Sequence, residues 1–392
     1  MDASLFISRR LRFKGKIAMT SIAVSFLVMI IAVSVSSGFR HEIRAGISSV
    51  SGDIQLLPLN MNLLDEASPV EADAAYTPYV KDIEGVEDII PVIYRAGIVR
   101  NNEEIHGILL KGMPSGHLPY ERPDSVSLAV SIPRRLSEIT GLEAGDRMLT
   151  YFVGEKVRAR QFNVVSIYDS MLETDDRLVV YADIKDLQRL NGWEENQVSA
   201  VEIMLDRESK SNVAEKAEEV GTAVYAYSSE DETTVLASSC VSRYPQIFDW
   251  LNLMDFNVLF ILILMTIVAG FNMISGLLIM LFENISTIGL LKTLGMTDRA
   301  IAKVFLSSSA VLTIKGMAIG NALAIIFCVV QSSTHVLKLD PVNYFVSHVP
   351  VHPDFGLILT ADVISFAAIM LLLLIPCLFI SKVDPAETVR VR

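Results

Sequence analysis

The sequence is poor in cysteine, with three in 392 residues. Cys240 stands alone, and Cys328 and Cys377 sit inside apolar runs, so neither a disulfide framework nor a metal-ligand spacing arises. Positive charge is also scarce. Lys and Arg number 33 against 45 Asp and Glu, a net charge of −12, which argues against a nucleic-acid partner. No G-x-x-x-x-G-K-[S/T] stretch occurs, so the chain has no P-loop for ATP. No Ser/His/Asp grouping or zinc signature supplies catalytic chemistry. His335, His348 and His352 are spaced 13 and 4 apart with no flanking cysteine or carboxylate ligands, and Pro350 interrupts them, so no metal is expected there. What the chain does have is apolar residues: 51% of the sequence, concentrated in four runs.

About 20 apolar residues in a helix cross a bilayer. The runs that qualify are 17–38, 256–281, 302–330 and 356–380. Residues 1–16 carry Arg9, Arg10, Arg12, Lys14 and Lys16 against one acid, interleaved with Leu5, Phe6, Ile7, Leu11 and Phe13, which reads as a basic amphipathic helix on the inner membrane face. A signal peptide is the rival reading, but the apolar core is too long and Ser36-Ser37-Gly38 is a poor cleavage site. The positive-inside rule then puts the N-terminus in the cytoplasm. The tail 381–392, with Lys382, Arg390 and Arg392, agrees with that orientation, and 331–355 is a short outer loop.

Between the second and third runs, residues 283–299 are too short and too polar to span. Ile285, Ile288, Leu291 and Leu294, with Leu290 beside them, form an amphipathic pattern; Gly295 suits a C-cap, and Thr297 and Asp298 suit the next N-cap. In the third run Gly316 and Gly320 allow close helix approach. Lys315 beside them costs roughly 2.5–3.5 kcal/mol on insertion scales. It either faces a cavity or partner helix or snorkels to an interface.

Residues 39–250 hold no spanning segment and mix short helix and strand signals, which predicts an α+β domain. Helices are expected at Thr77–Ile83, Ile132–Thr140, Ile184–Leu190 and Ser211–Val220. Strands are expected at Val92–Arg100, Glu104–Lys111, Arg147–Val153, Val157–Ile167, Leu178–Ala182, Val198–Leu205 and Ala223–Tyr227. A stalk helix follows over 230–255, with Val241, Tyr244, Ile247, Phe248 and Leu251 at helical spacing and a kink at Pro245. The fold class is therefore an α-helical membrane protein with four transmembrane helices plus a large α+β periplasmic domain inserted between the first and second.

Several stretches together resemble the lipoprotein-releasing ABC permeases of the LolC/LolE type, within the wider family of FtsX and MacB permeases. They are Phe271-Asn272-Met273-Ile274-Ser275, Glu283, Ile288-Gly289-Leu290-Leu291-Lys292, Gly295-Met296, Val304-Phe305, and Pro385-Ala386-Glu387 followed by Arg390. In the outer region Lys111-Gly112, Gly141-Leu142, Gly145-Asp146, Phe162-Asn163-Val164-Val165 and Glu173-Thr174-Asp175 continue the match.

The resemblance implies a permease subunit that extracts lipoproteins from the inner membrane by mechanotransmission. The 283–299 segment becomes the coupling helix, with Glu283, Ile288, Gly289, Lys292 and Gly295 as the residues facing this task. It implies a LolD-like ATPase dimer that binds the ATP, a second permease subunit (a copy or a sister), membrane lipid and a lipoprotein cargo. Met19, Leu27, Phe260, Leu264 and Met273 are candidate walls for its acyl chains, since methionine and leucine adapt to variable shapes. A MacB-like exporter or an FtsX-like regulator of a cell-wall hydrolase are the alternatives; the first usually carries a fused ATPase, and the second is usually shorter. One departure concerns the periplasmic carrier. LolC-type subunits recruit it through a protruding hairpin, and Val153-Gly154-Glu155-Lys156-Val157 is too short to protrude.

Overall fold

The computed structural model describes residues 16–59, 69–101, 104–123, 126–152, 157–169, 178–340, 344 and 346–378. The basic segment 1–15, the turn residues 153–156, Glu173-Thr174-Asp175 and the tail with Pro385-Ala386-Glu387 lie outside them.

The chain opens with α1 (Lys16–Ser51), β1 (Ile54–Pro58), β2 (Val70–Glu71), α2 (Thr77–Lys81), β3 (Val86–Asn101) and β4 (Glu104–Met113). Next come β5 (Ala129–Pro133), α3 (Arg134–Thr140), β6 (Arg147–Phe152), β7 (Arg158–Tyr168), β8 (Leu178–Asp183) and α4 (Ile184–Asn191). Then follow β9 (Gln197–Val198), β10 (Ala200–Leu205), α5 (Val213–Tyr227), β11 (Val235–Ser239) and α6 (Cys240–Arg243). The C-terminal part is helical: α7 (Pro245–Glu283), α8 (Ile285–Thr293), α9 (Asp298–Thr334), α10 (Phe355–Leu372) and α11 (Leu374–Cys377). Two compact units result: Met1–His41 with Trp250–Lys338 and His348–Arg392, and Glu42–Asp249 with Leu339–Ser347.

The first unit holds four helices long and apolar enough to cross a membrane, in Ile17–Ser51, Pro245–Glu283, Asp298–Thr334 and Phe355–Cys377. Lipid is as apolar as leucine, so such helices associate through close packing and polar bonds rather than hydrophobic burial. Both devices are present. Gly316 and Gly320 let α9 close on α1: a Cβ on Gly316 would sit 2.8 Å from Ile22 Cγ2, and one on Gly320 2.5 Å from the Ala23 carbonyl oxygen. Around this seam Ile22 and Phe26 pack with Met273, Leu277, Phe305 and Ile369. Asn272 Nδ2 donates to Ser21 Oγ, the Thr266 and Ser365 hydroxyls are 3.0 Å apart, and Asn321 Nδ2 donates to Asp362 Oδ2 at 2.5 Å.

In the second unit a nine-stranded sheet runs β11-β1-β10-β3-β4-β8-β5-β7-β6, with β6 also pairing β3. The last six strands thus close on themselves. The 16-residue β3 makes this possible: its first half pairs β10 and its second half pairs β4, with Ile98 and Val99 also paired to β6. The β3–β4 and β6–β7 hairpins stand where the alternation of apolar residues predicts them. Ile90, Val92, Leu109, Val179 and Tyr181 form a core of this unit.

Helix α1 continues past the apolar run 17–38 to Ser51, because Ile43 and Ile47 repeat at helical spacing and are fully buried. Three expectations are corrected here. The stretch 132–140 divides at Pro133, which ends β5 and caps α3 without needing an N–H. Ala223–Tyr227 is the last part of α5, not a strand; Val213, Ala217, Val220 and Val224 line one buried face of a single helix. The stalk read over 230–255 contains β11 and α6, and Pro245 opens α7 at its first turn rather than kinking it.

Candidate functional site

Toward the start of α7 the first unit encloses a cavity of about 490 Å³, within the roughly 300–1,000 Å³ of ligand sites. Three helices wall it: α1 with Val33, α7 with Val258, Leu259 and Leu262, and α10 with Leu357, Ala361 and Ile364. The walls are therefore aliphatic. The rim is polar, made by Ser36, Ser37, Arg40, Asp255, Asp354 and Thr360.

Local sequence places each rim group. Arg40 follows Gly38 on α1, and Asp255 lies three turns into α7, before its long apolar run. Arg40 Nη2 pairs with Asp255 Oδ2, and Ser36 Oγ donates to Asp255 Oδ1 at 2.5 Å. A half-exposed pair of this kind is worth only up to about 1 kcal/mol, so it fastens α1 to α7 reversibly. Asp354 caps α10, accepting from the N–H groups of Gly356 at 2.9 Å and Leu357 at 3.2 Å.

The opposite end of α7 carries the short helix α8. From Leu262 to Glu283 a helix rises about 30 Å. Ile288 is 1% exposed and packs into the helical core, with Gly289 buried beside it and Leu291 half-buried. Leu290 and Leu294 point away, at 57% and 75% exposure. Gly295 takes φ +84°, and Met296 N–H donates to Leu291 C=O at 3.0 Å, closing the helix with a left-handed cap. Thr297 caps α9, and Lys292 Nζ bridges to Asp298 Oδ1 at 3.0 Å, so the turn between α8 and α9 is held at both sides. Glu283 is exposed at the end of α7.

The five residues proposed from sequence as lipid walls do not line this cavity. Met273 is fully buried in the helical core, Met19 and Leu27 are half-buried, and Phe260 and Leu264 face outward. Lys315 is exposed on α9 and is not part of the cavity. The rim pair Arg40 and Asp255 went unnoticed. Its signal is in the sequence: opposite charges sit just after the first apolar run and just before the second. Among the described residues no group of three or more His, Cys, Asp or Glu could hold a metal ion.

An aliphatic cavity among membrane-length helices thus lies about 30 Å along α7 from the exposed apolar face of α8. Residues 259–385 match the family described as FtsX-like permease, C-terminal. The lipoprotein-releasing system transmembrane protein LolC of Neisseria meningitidis is 21% identical, over 96% of this chain and 94% of that protein. The LolC protein of Xylella fastidiosa is 22% identical, over 97% of this chain and 95% of that one. The periplasmic region of MacB from Actinobacillus actinomycetemcomitans superposes more loosely, with a TM-score of 0.33 at 10% identity, over 50% of this chain and 91% of that one. The C-terminal third of the chain thus matches the FtsX-like permease family, and nearly its whole length is similar to LolC proteins.

Proposed function

We propose that this chain is the membrane subunit of an ABC transporter that releases lipoproteins from a bacterial inner membrane. The observation that carries the reading is the aliphatic cavity between α1, α7 and α10 with its ion-paired rim. A lipid-anchored cargo needs an apolar pocket that can be entered sideways, and a rim that opens at low cost. The relatives with LolC names, aligned over nearly the whole length, support the same reading.

In this reading both termini are cytoplasmic, and the α+β unit lies between the first and second spans on the outer side. Leu290 and Leu294 on α8, with Glu283, Ile288, Gly289, Lys292 and Gly295 shaping the segment, meet a LolD-like ATPase dimer. That partner binds the ATP; this chain contributes no nucleotide site and needs no cofactor. A second permease, a copy or a sister, completes the pathway. ATP-driven closure of the ATPase moves α8, α7 carries the motion outward, and the cavity is squeezed. Only five residues separate β6 from β7, so a carrier is recruited by another subunit or is not needed. Met19, Leu27, Phe260, Leu264 and Met273 then serve the helix surface and core, and Lys315 meets a headgroup or a neighbouring subunit.

Purification from detergent-solubilised membranes, with mass spectrometry of proteins and lipidated peptides, tests this. Triacylated lipoproteins that co-purify with the chain and a separate ATPase, and leave on addition of ATP, are expected. An ATPase with a soluble hydrolase or an outer-membrane channel protein, and no lipoprotein, would refute it.

A further inference from the structure

The end of α1 is gripped. In most helices the last carbonyls go to solvent or to backbone caps. Here the last three, Ser49 to Ser51, and the Gly52 carbonyl just beyond them accept from side chains. Lys111 Nζ donates to Val50 C=O at 2.8 Å and to Ser49 C=O at 3.4 Å. Arg243 Nη2 donates to Ser51 C=O at 2.8 Å and to Gly52 C=O at 3.2 Å. The Tyr94 hydroxyl lies between Val50 C=O, 3.2 Å away, and Glu202 Oε1.

The donors come from separate elements whose registers bring them together. Tyr94 and Lys111 are direct cross-strand partners on β3 and β4, Gln55 and Glu202 on β1 and β10, and Arg243 sits on α6. Gln55 Nε2 donates to the Tyr94 hydroxyl at 3.0 Å, and Arg243 Nη1 to Gln55 Oε1. Gly52 allows the turn: its φ is +65°, and a Cβ there would meet Glu202 Cβ at 2.9 Å.

Lys111 and Glu202 pair at 2.9 Å with side chains 0% and 1% exposed. Burying two charges is costly, and apolar residues of the same volume often serve stability equally well. The chemistry fits something else. An ammonium has three donors, and this one faces three acceptors: Ser49 C=O, Val50 C=O and Glu202 Oε2. Its positive charge, with that of Arg243, also meets the negative end of the helix dipole.

We propose that Lys111 and Arg243 are positioning residues that fix the end of α1 to the sheet, so that motion of the first span is passed to the α+β unit instead of fraying the last turn. This rests on the reading of the chain as an ATP-driven lipoprotein-releasing permease. The test uses the full complex with its ATPase and second permease in proteoliposomes loaded with a triacylated lipoprotein. Lys111→Met combined with Glu202→Gln removes both charges without stranding either. The folded double variant is expected to hydrolyse ATP within about twofold of wild type, while lipoprotein released per ATP falls at least ~10-fold. A merely structural pair predicts unchanged release per ATP once the complex is assembled, and that result overturns the proposal. If the double variant does not assemble, the half-buried Arg243 decides by the same ratio: Arg243→Gln must uncouple and Arg243→Lys must retain coupling. A wild-type complex that turns over ATP without releasing lipoprotein would instead overturn the transport reading, and the joint with it.

Discussion

Replacing Gly320 by alanine is expected to part α1 from α9. The new Cβ would lie 2.5 Å from Ala23 C=O, 2.9 Å from Phe26 Cβ and 3.1 Å from Leu27 N. Two of these three neighbours are backbone atoms, which cannot rotate away. Reaching the 3.4 Å at which ordinary contact begins requires a separation of about 0.9 Å. A gap of that size forfeits roughly a quarter to a half of the dispersion energy of the atoms along it. Overpacking of this kind costs about 1–3 kcal/mol, partly offset by alanine's better helix propensity of up to about 1 kcal/mol. A net loss of up to about 2 kcal/mol follows. Gly221 is the control. It lies within α5, and a Cβ there would meet Ala237 Cβ at 3.5 Å, an ordinary contact. Gly221→Ala is therefore expected to gain about 0.5–1 kcal/mol by restricting the unfolded chain. Thermal unfolding of the two variants in one detergent, followed by circular dichroism, reads both signs. If Gly320→Ala melts at or above wild type, the close α1–α9 seam is refuted.

Three further outcomes are expected. Leu290→Asp and Leu294→Asp on the exposed side of α8 should remove the ATPase from the purified complex without changing the helical circular dichroism; retention of the ATPase would place the docking surface elsewhere. Ala361→Trp should fill the cavity and reduce co-purifying lipoprotein several-fold, whereas Phe260→Ala, outside it, should not; the reverse result would favour the outer face of α7 as the binding surface. Asp183 and Asp186 share Arg122, at 2.6 and 3.2 Å. Burial pushes the Asp183 carboxyl up, but hydrogen bonds from Ser115, Arg122 and the Lys185 N–H outweigh it and hold the carboxyl below its ordinary range. Burial pushes Asp186 up, with Arg122 opposing. The lowered carboxylate stabilises the fold above the ordinary carboxylate range and loses that contribution as pH falls through its folded value; the raised one contributes most at acid pH and loses it as pH rises. Asp183→Asn should therefore flatten the acid limb of the melting profile and cost about 1–3 kcal/mol at neutral pH, while Asp186→Asn costs little there. Equal effects of the two variants at neutral pH would contradict the assignment.

The membrane half was the more legible from sequence, because apolar length alone locates a span and Gly316 with Gly320 advertises a close seam. The ends of the helices were not. α1 runs on past Gly38 and beyond the apolar run, since burial of Ile43 and Ile47 outweighs the low helix propensity of one glycine. In the α+β unit, Val224 and its neighbours read as a strand by composition, but their helical register against β11 decided the matter. Which residues line the cavity is hard to read from sequence for a related reason. Residue type says which side chains suit an acyl chain, whereas the direction each faces depends on which helices meet, and Phe260 and Met273 on the same helix end outside and inside respectively. Glu202 in the middle of the apolar strand β10 is the sequence's sign of a buried partner.

The bond from Asn321 to Asp362 has a consequence for how the protein is made. A carboxyl within an apolar segment burdens its insertion, by about 2.5–3.5 kcal/mol at a helix centre on translocon scales. α9 leaves the ribosome first and carries the amide; α10 follows about 20 residues later and carries the acid. If the earlier helix waits beside the exit of the translocon until the later one arrives, the two enter lipid as a hairpin with their polar groups already joined. Biogenesis of the last quarter of the chain then becomes a paired event, and its timing is set by the length of the loop between the two helices.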